Sequence, residues 1–152
     1  MVAINYRLST LGFLALNDGK TNENYGLDDI ITAFDWVRTH ITDFGGDPNR
    51  ITIFRRSASA ASVRAILAST KAIRKYAAVI PMSNLTGSNY VTTYSLYYTI
   101  PAEVSVAAEP ILNTTGSLGP TTQLDCLRGY DPYNLTSIST VARYVIMQGY
   151  VK

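Results

Sequence analysis

Short apolar runs alternate with segments of helical periodicity over the first half of this 152-residue sequence. "VAINYRL" (Val2–Leu8), "ITIF" (Ile51–Phe54) and "YAAVIPM" (Tyr76–Met82) have the length and composition of buried strands. Strands separated by helices need crossover connections, and such connections produce parallel sheets. The alternation therefore predicts an α/β fold, with a β-α-β-α-β core over residues 1–84.

The segments between these runs predict two helices. In the first, apolar residues recur three or four positions apart, and "FGGDPN" ends the pattern with glycine and proline. The second is a stretch of small residues over Ala58–Ser69. The apolar residues that define the first helix are Leu27, Ile30, Ile31, Phe34, Val37 and Ile41.

Residues 85–152 predict a helical, loop-rich segment that follows this core and belongs to the same domain. One or two helices fit its first part, interrupted near Pro101 and Pro110 because proline lacks a backbone donor. A helical turn is predicted over Asp125–Arg128. The pattern that follows this turn fits either a longer helix or a strand.

Composition excludes several kinds of site and partner. The chain has one cysteine, Cys126, and one histidine, His40, so it cannot build a zinc site from its own Cys and His side chains or close an internal disulfide. Its net charge of +2 is too small to indicate a nucleic-acid partner. No apolar run approaches the length of a membrane span.

A serine follows the second predicted strand and precedes the second predicted helix. A strand, a sharp turn with serine and a helix form the context of a nucleophile elbow, whose pattern is G-x-S-x-G. The glycines are needed because a Cβ atom there collides with the adjoining strand or helix. Ser57 has Arg55 and Ser59 at these two positions, so the bare motif is absent.

The sequence around Ser57 nevertheless resembles the type B carboxylesterase family, the lipase and cholinesterase group of α/β-hydrolases. The resemblance rests on four quoted segments in order: "INYRLSTLGFLAL", "NYGLDDIITAFDWV", "DFGGDPNRITIF" and "SAASV". "LDCLRGYDP" near Cys126 extends it more loosely. The resemblance is to a secreted fungal member, present as a fragment with a degenerate elbow.

The resemblance implies a partial α/β-hydrolase fold and the hydrolysis of small carboxylic esters through an acyl-serine, with no metal or cofactor. It assigns the nucleophile position to Ser57 and an oxyanion-hole N–H to Ala58. In this mechanism a histidine takes and returns the proton, and a carboxylate orients the histidine. The family's histidine and acid follow the serine, and its oxyanion loop precedes the first strand.

The sequence departs from the family in its catalytic groups. No histidine follows Ser57, and His40 precedes it at the predicted end of a helix, on the solvent side. We therefore expect this chain to be inactive as written. The alternative is a non-catalytic pseudoenzyme or an anion-binding module that uses the basic stretch 50–75, where Arg64, Lys71 and Lys75 share a stripe if the helix continues that far.

Two further features concern the surface. Asn84, Asn113 and Asn134 each begin an Asn-x-Thr glycosylation sequon, which favours an extracellular protein, although no signal peptide opens the chain. The family resemblance implies that Cys126 pairs with an upstream cysteine in relatives, and Ser117 stands in the matching region here. We expect Cys126 to be a buried, inert thiol, and an intermolecular disulfide or a reactive site is the alternative.

Overall fold

The computed structural model describes residues 1–16, 18–21, 24–56, 58–83, 100–118 and 123–138, apart from the side chains of Ala58 and Ala61. The regular elements are α1 (Ser9–Phe13), α2 (Tyr25–His40), β1 (Thr52–Arg56), α3 (Ala58–Ala68), β2 (Ala78–Met82), α4 (Ile100–Glu103), α5 (Glu109–Thr115), α6 (Gln123–Arg128) and α7 (Pro132–Thr136). They belong to two compact units. The first contains residues 1–6 and 27–83, and the second contains the remaining described residues.

The first unit is built on a parallel pair of strands. β1 pairs with β2 in register from Thr52 opposite Ala78 to Arg56 opposite Met82, and α3 connects the two strands. Ile53 of β1 and Val63 and Ile66 of α3 are buried, so the apolar side of the helix packs on one face of the sheet. The predicted parallel α/β arrangement is confirmed for this part of the chain.

The strand predicted over Val2–Leu8 does not form. The segment has no regular secondary structure, and Val2 and Leu8 are 46% and 59% exposed. A strand is stabilised by ladder hydrogen bonds to a neighbour, and among the described residues β1 and β2 pair only with each other. The apolar run predicted a buried strand, but within the described part of the chain no neighbouring strand pairs with it.

Helix α2 agrees with the predicted periodicity. Leu27, Ile30, Ile31, Phe34 and Val37 are all buried, and the ring of Phe34 meets that of Tyr76 edge-on at 6.3 Å between centroids. The helix tightens into a 3₁₀ turn over Ile41–Phe44 and ends at Gly45, whose φ of 74° suits a residue without a Cβ atom. "FGGDPN" thus ends the helix as predicted.

The second unit contains a small apolar core, and its residues come from two parts of the chain that are far apart in the sequence. Its members are Leu14, Leu16, Ala108, Ile111, Leu112, Leu127 and Leu135. In the same unit, the backbone at Gly12 and at Gly26 lies close to the Arg7 carbonyl oxygen. A Cβ atom on either glycine would lie within 2.5 Å of that oxygen. Small residues at these two positions therefore set the local packing.

The predicted interruption at Pro110 is wrong. Helical structure continues from Ile100 to Thr115, with a π-helical turn over Val104–Ala108 that directly precedes α5. The N–H of Glu109 donates to the carbonyl of Val104, five residues earlier. This wider turn lets the chain accommodate Pro110, which lacks a donor, at the start of α5. Pro101 lies in the first turn of α4, where proline is tolerated.

Two short helices complete the second unit. α6 confirms the helical turn predicted over Asp125–Arg128, and α7 begins after Asp131, whose carboxylate accepts from the N–H of Asn134. Leu127 and Leu135 anchor these helices in the core. The sequence after Asp125–Arg128 fits either a longer helix or a strand, and its part from residue 139 onward lies outside the described residues.

Candidate functional site

The predicted nucleophile position, Ser57, follows the carboxyl end of β1 in the sequence. The strand ends at Arg56 and α3 begins at Ala58, so Ser57 alone separates them. Ser57 itself lies outside the described residues. The strand, one-residue connection and helix are the context that a nucleophile elbow requires.

Ala58 is the first residue of an 11-residue helix. The first four N–H groups of a helix have no intrahelical acceptor, and the helix dipole makes this end partly positive. A backbone N–H at this position is therefore suited to a developing oxyanion. The assignment of Ala58 to that role stays a prediction.

The side chains that stand in place of the two glycines meet a common neighbour. The guanidinium carbon of Arg55 lies 5.9 Å from the centroid of the Tyr6 ring, within the range of a cation–π contact. The hydroxyls of Tyr6 and Ser59 are 3.4 Å apart, within hydrogen-bonding reach. All three residues are half-buried. Tyr6 therefore contacts the residues two positions before and two positions after Ser57.

Sequence reasoning missed Tyr6. The residue lies 49 positions before Arg55 in a segment taken for a strand, and no local pattern links the two. Its importance depends on where the chain places the segment 1–8 in space. The only signal in the sequence was its place within "INYRL", which carried the family resemblance.

His40 is the last residue of α2 and packs against the helix's own preceding turn. Its ring lies 4.9 Å from that of Trp36, with the planes tilted by 42°. The side chain is half-buried, so the expected solvent-side position is only approximate. A basic side chain at a helix C-terminus also complements the helix dipole.

Two lysines of the basic stretch form ion pairs within the first unit. Lys71 Nζ lies 2.9 Å from an Asp28 carboxylate oxygen, and Lys75 Nζ lies 2.5 Å from one of Asp35. Helix α3 ends at Ala68, before Lys71, so these lysines do not continue a helical stripe from Arg64. The arrangement weakens the case for an anion-binding face.

The loop before β1 is fixed by a carboxylate. Asp47 accepts from the N–H of Asn49 and from Nε of Arg50, both at 2.8 Å. These two donors, the N–H of Asn49 first, hold the pKa of the Asp47 carboxyl below its usual value. The loop therefore delivers the chain into β1 with its turn already hydrogen-bonded.

Asp18 plays the same part in a loop of the second unit. Burial acts to raise the pKa of this carboxyl, but the N–H groups of Thr21 and Lys20 and the Thr21 hydroxyl donate to it and leave the pKa lowered. The two aspartates thus form an equivalent pair, one in each unit.

The expectation for Cys126 is wrong in one respect. The residue is exposed rather than buried. Its sulfur accepts a hydrogen bond from the hydroxyl of buried Ser117 at 2.6 Å, and the Thr115 hydroxyl donates to Ser117 at 3.0 Å. The structure therefore brings together the two positions that the resemblance associated.

Of the three sequon asparagines, Asn113 in α5 and Asn134 in α7 are exposed, and Asn84 lies outside the described residues. Within the part of the chain that the structure describes, no cluster of three or more His, Cys, Asp or Glu residues could hold a metal ion. None of the described helices is both long and apolar enough to cross a membrane.

Comparison with known proteins places these features in a family. The model of the carboxylesterase family matches residues 1–149. A carboxylic ester hydrolase of Bombus ignitus is 52% identical over 63 residues, which cover 41% of this chain and 11% of the bee protein. The human bile salt-activated lipase is 51% identical over 63 residues, covering 41% of this chain and 8% of the lipase.

A solved structure titled thermophilic PNB esterase aligns with a TM-score of 0.65 and 28% sequence identity. The alignment covers 91% of this chain and 26% of the esterase, so the chain spans about a quarter of that solved structure and a smaller share of the two relatives above. The fold is that of the α/β-hydrolases, and the chain belongs to the carboxylesterase family.

Proposed function

We propose that β1, Ser57 and α3 form the elbow region of an enzyme that hydrolyses small carboxylic esters. Ser57 stands at the nucleophile position, and the N–H of Ala58 belongs to the oxyanion hole. The observation that carries the proposal is the junction of β1 and α3. Only Ser57 separates the strand from the helix, and β1 is held in a parallel pair. Family membership supplies the reaction class.

The proposed reaction follows the acyl-serine route. The Ser57 oxygen attacks the ester carbonyl carbon, its proton passes to a base, and the alcohol leaves as the acyl-serine forms. Water then attacks the acyl group, and the serine regains its proton as the acid is released. Backbone N–H groups stabilise the oxyanion in both steps.

We further propose that the 152-residue chain alone does not turn over esters. A serine hydroxyl needs a base, and the one histidine of the chain, His40, packs against Trp36 at the end of α2. The base and the acid would come from residues beyond those present here, in a protein for which these 152 residues are a fragment. A fungal origin stays a prediction. Secretion is also a prediction, and the exposure of the sequon residues Asn113 and Asn134 is consistent with it.

Two experiments test these proposals separately. Incubating the 152-residue chain with a fluorophosphonate, followed by peptide mapping, should give no stoichiometric adduct at Ser57. A full adduct there would refute the claim of inactivity. Separately, the protein encoded by the complete open reading frame that contains this sequence should hydrolyse p-nitrophenyl butyrate with saturation kinetics. Ser57→Ala should abolish that hydrolysis. Hydrolysis that survives Ser57→Ala would refute the nucleophile assignment.

A further inference from the structure

The geometry points to Tyr6 as a positioning residue of the elbow. Its ring contacts the Arg55 guanidinium, and its hydroxyl is within hydrogen-bonding reach of Ser59. One side chain therefore positions both the residue two before Ser57 and the residue two after it. This inference rests on the proposed elbow at Ser57. It adds a residue that acts on the elbow through its neighbours and does not touch the reacting atoms.

Two residues other than glycine flank this turn, and their side chains need room. A G-x-S-x-G elbow keeps its flanks free of side chains because the strand and helix approach closely there. Arg55 is the fourth residue of β1 and Ser59 the second of α3, so both side chains start from the crowded junction. Each needs a direction that leaves the junction clear.

Tyr6 provides that direction for both. The flat ring accepts the delocalised guanidinium of Arg55 on its face, and the phenol oxygen at the ring's far end reaches Ser59 Oγ. Among the described residues Arg55 has no ion pair with a carboxylate. The contact with the Tyr6 ring is therefore the interaction that stabilises its charge. The segment 1–6 thus acts on the elbow through a side chain and not through strand pairing.

The chain contains a matched contact for comparison. The Arg7 guanidinium carbon lies 5.5 Å from the centroid of the Tyr25 ring, which is the same kind of pair with similar geometry. It belongs to the second unit, whereas Tyr6, Arg55 and Ser59 belong to the first. Loss of the Tyr25 ring therefore controls for the general effect of removing a tyrosine under an arginine.

The test measures the reactivity of a thiol placed at the elbow and does not require catalysis. Ser57→Cys, made together with Cys126→Ser, gives the chain a single thiol at the elbow. The rate of its alkylation by iodoacetamide is measured against pH, since only the thiolate displaces iodide. A nearby arginine and a helix N-terminus lower the pKa of a thiol. We expect a pH midpoint below the value of about 8.5 that an ordinary thiol shows.

In this background Tyr6→Ala should raise the pH midpoint toward about 8.5, because Arg55 is released from its place beside the elbow. Tyr6→Phe keeps the ring and should retain most of the lowering. Tyr25→Ala should leave the midpoint unchanged. Circular dichroism on each variant shows whether it is folded.

A fourth variant keeps the proposal falsifiable if Tyr6→Ala unfolds the chain. Arg55→Met should raise the midpoint by itself, and Tyr6→Phe should then have no further effect through the arginine. The inference is overturned if folded Tyr6→Ala keeps the parent midpoint, if Tyr25→Ala shifts it equally, or if Arg55→Met leaves it in place. None of these outcomes depends on whether Ser57 is a working nucleophile, so the proposed function is judged independently.

Discussion

The two units bury their apolar residues in different ways. In the second unit, Ile111 and Leu112 are 0% and 2% exposed within a core that the unit's own helices enclose. In the first, α3 covers one face of the strand pair, and Phe54, Ile80 and Met82 on β1 and β2 are 48%, 52% and 42% exposed. Parallel strands are ordinarily covered on both faces. Among the described residues, the second unit therefore has an enclosed apolar core, whereas the strand pair of the first unit has exposed apolar side chains on one face.

The largest expected effect tests this difference with the same substitution in both units. Ile111→Ala should lower the free energy of unfolding by about 2–5 kcal/mol, because it removes buried methyl groups and leaves a cavity. Ile80→Ala, at a side chain 52% exposed, should change it by about 0.5 kcal/mol or less. Urea unfolding followed by circular dichroism measures both. Equal losses would show that something covers the sheet face in solution.

A second prediction concerns the close packing of the second unit. Gly12→Ala would place a Cβ atom 2.3 Å from the Arg7 carbonyl oxygen, and the backbone has to move to relieve the contact. We expect a loss of about 1–3 kcal/mol, the usual cost of overpacking.

The control for that substitution is Gly129→Ala in the same unit, where the nearest atom would lie at an ordinary 3.4 Å. It should leave stability within about 0.5 kcal/mol of the parent. If the two alanine variants unfold at the same urea concentration, the packing argument for Gly12 fails.

The same contrast explains which parts of the fold could be predicted. The helix α2, its end at "FGGDPN" and the parallel pairing of β1 with β2 follow from local periodicity and connection length. The missing strand at Val2–Leu8 and the continuous helix through Pro110 do not, because each depends on partners that local patterns do not specify. Pairing needs a neighbouring strand, and a proline can be absorbed by a π-helical turn.

The candidate site divides in the same way. The position of Ser57 between a strand and a helix could be recognised from the sequence, since the elbow is a local motif. Tyr6 could not, because its contacts with Arg55 and Ser59 join segments about 50 residues apart. The exposure of Cys126 was likewise a tertiary property that its residue type predicted wrongly.

A smaller effect is expected from pH, and it compares the units through their two loop carboxylates. Both Asp18 and Asp47 have a lowered pKa in the folded chain. Such a group contributes stability above the unfolded-state pKa of about 4, and loses it as pH falls toward the lower folded value. Urea midpoints should therefore decrease from pH 6 to pH 3, and Asp18→Asn and Asp47→Asn should each reduce that decrease. A decrease that neither variant alters would assign the acid sensitivity to other groups.

The smallest expected effect concerns the ion pairs of the first unit. Lys75 is the more protected cation, with 23% of its side chain exposed against 61% for Lys71, and each contacts one aspartate of α2. Exposed ion pairs contribute about 0.2–1 kcal/mol, and salt weakens them. A double-mutant cycle on Lys75 and Asp35 should give a coupling near the top of that range, and one on Lys71 and Asp28 a coupling near the bottom. Because screening acts most on the more exposed pair, adding salt should remove the Lys71 coupling first. The reverse order would mean that burial does not govern how strongly these pairs hold α2 to the segment after α3.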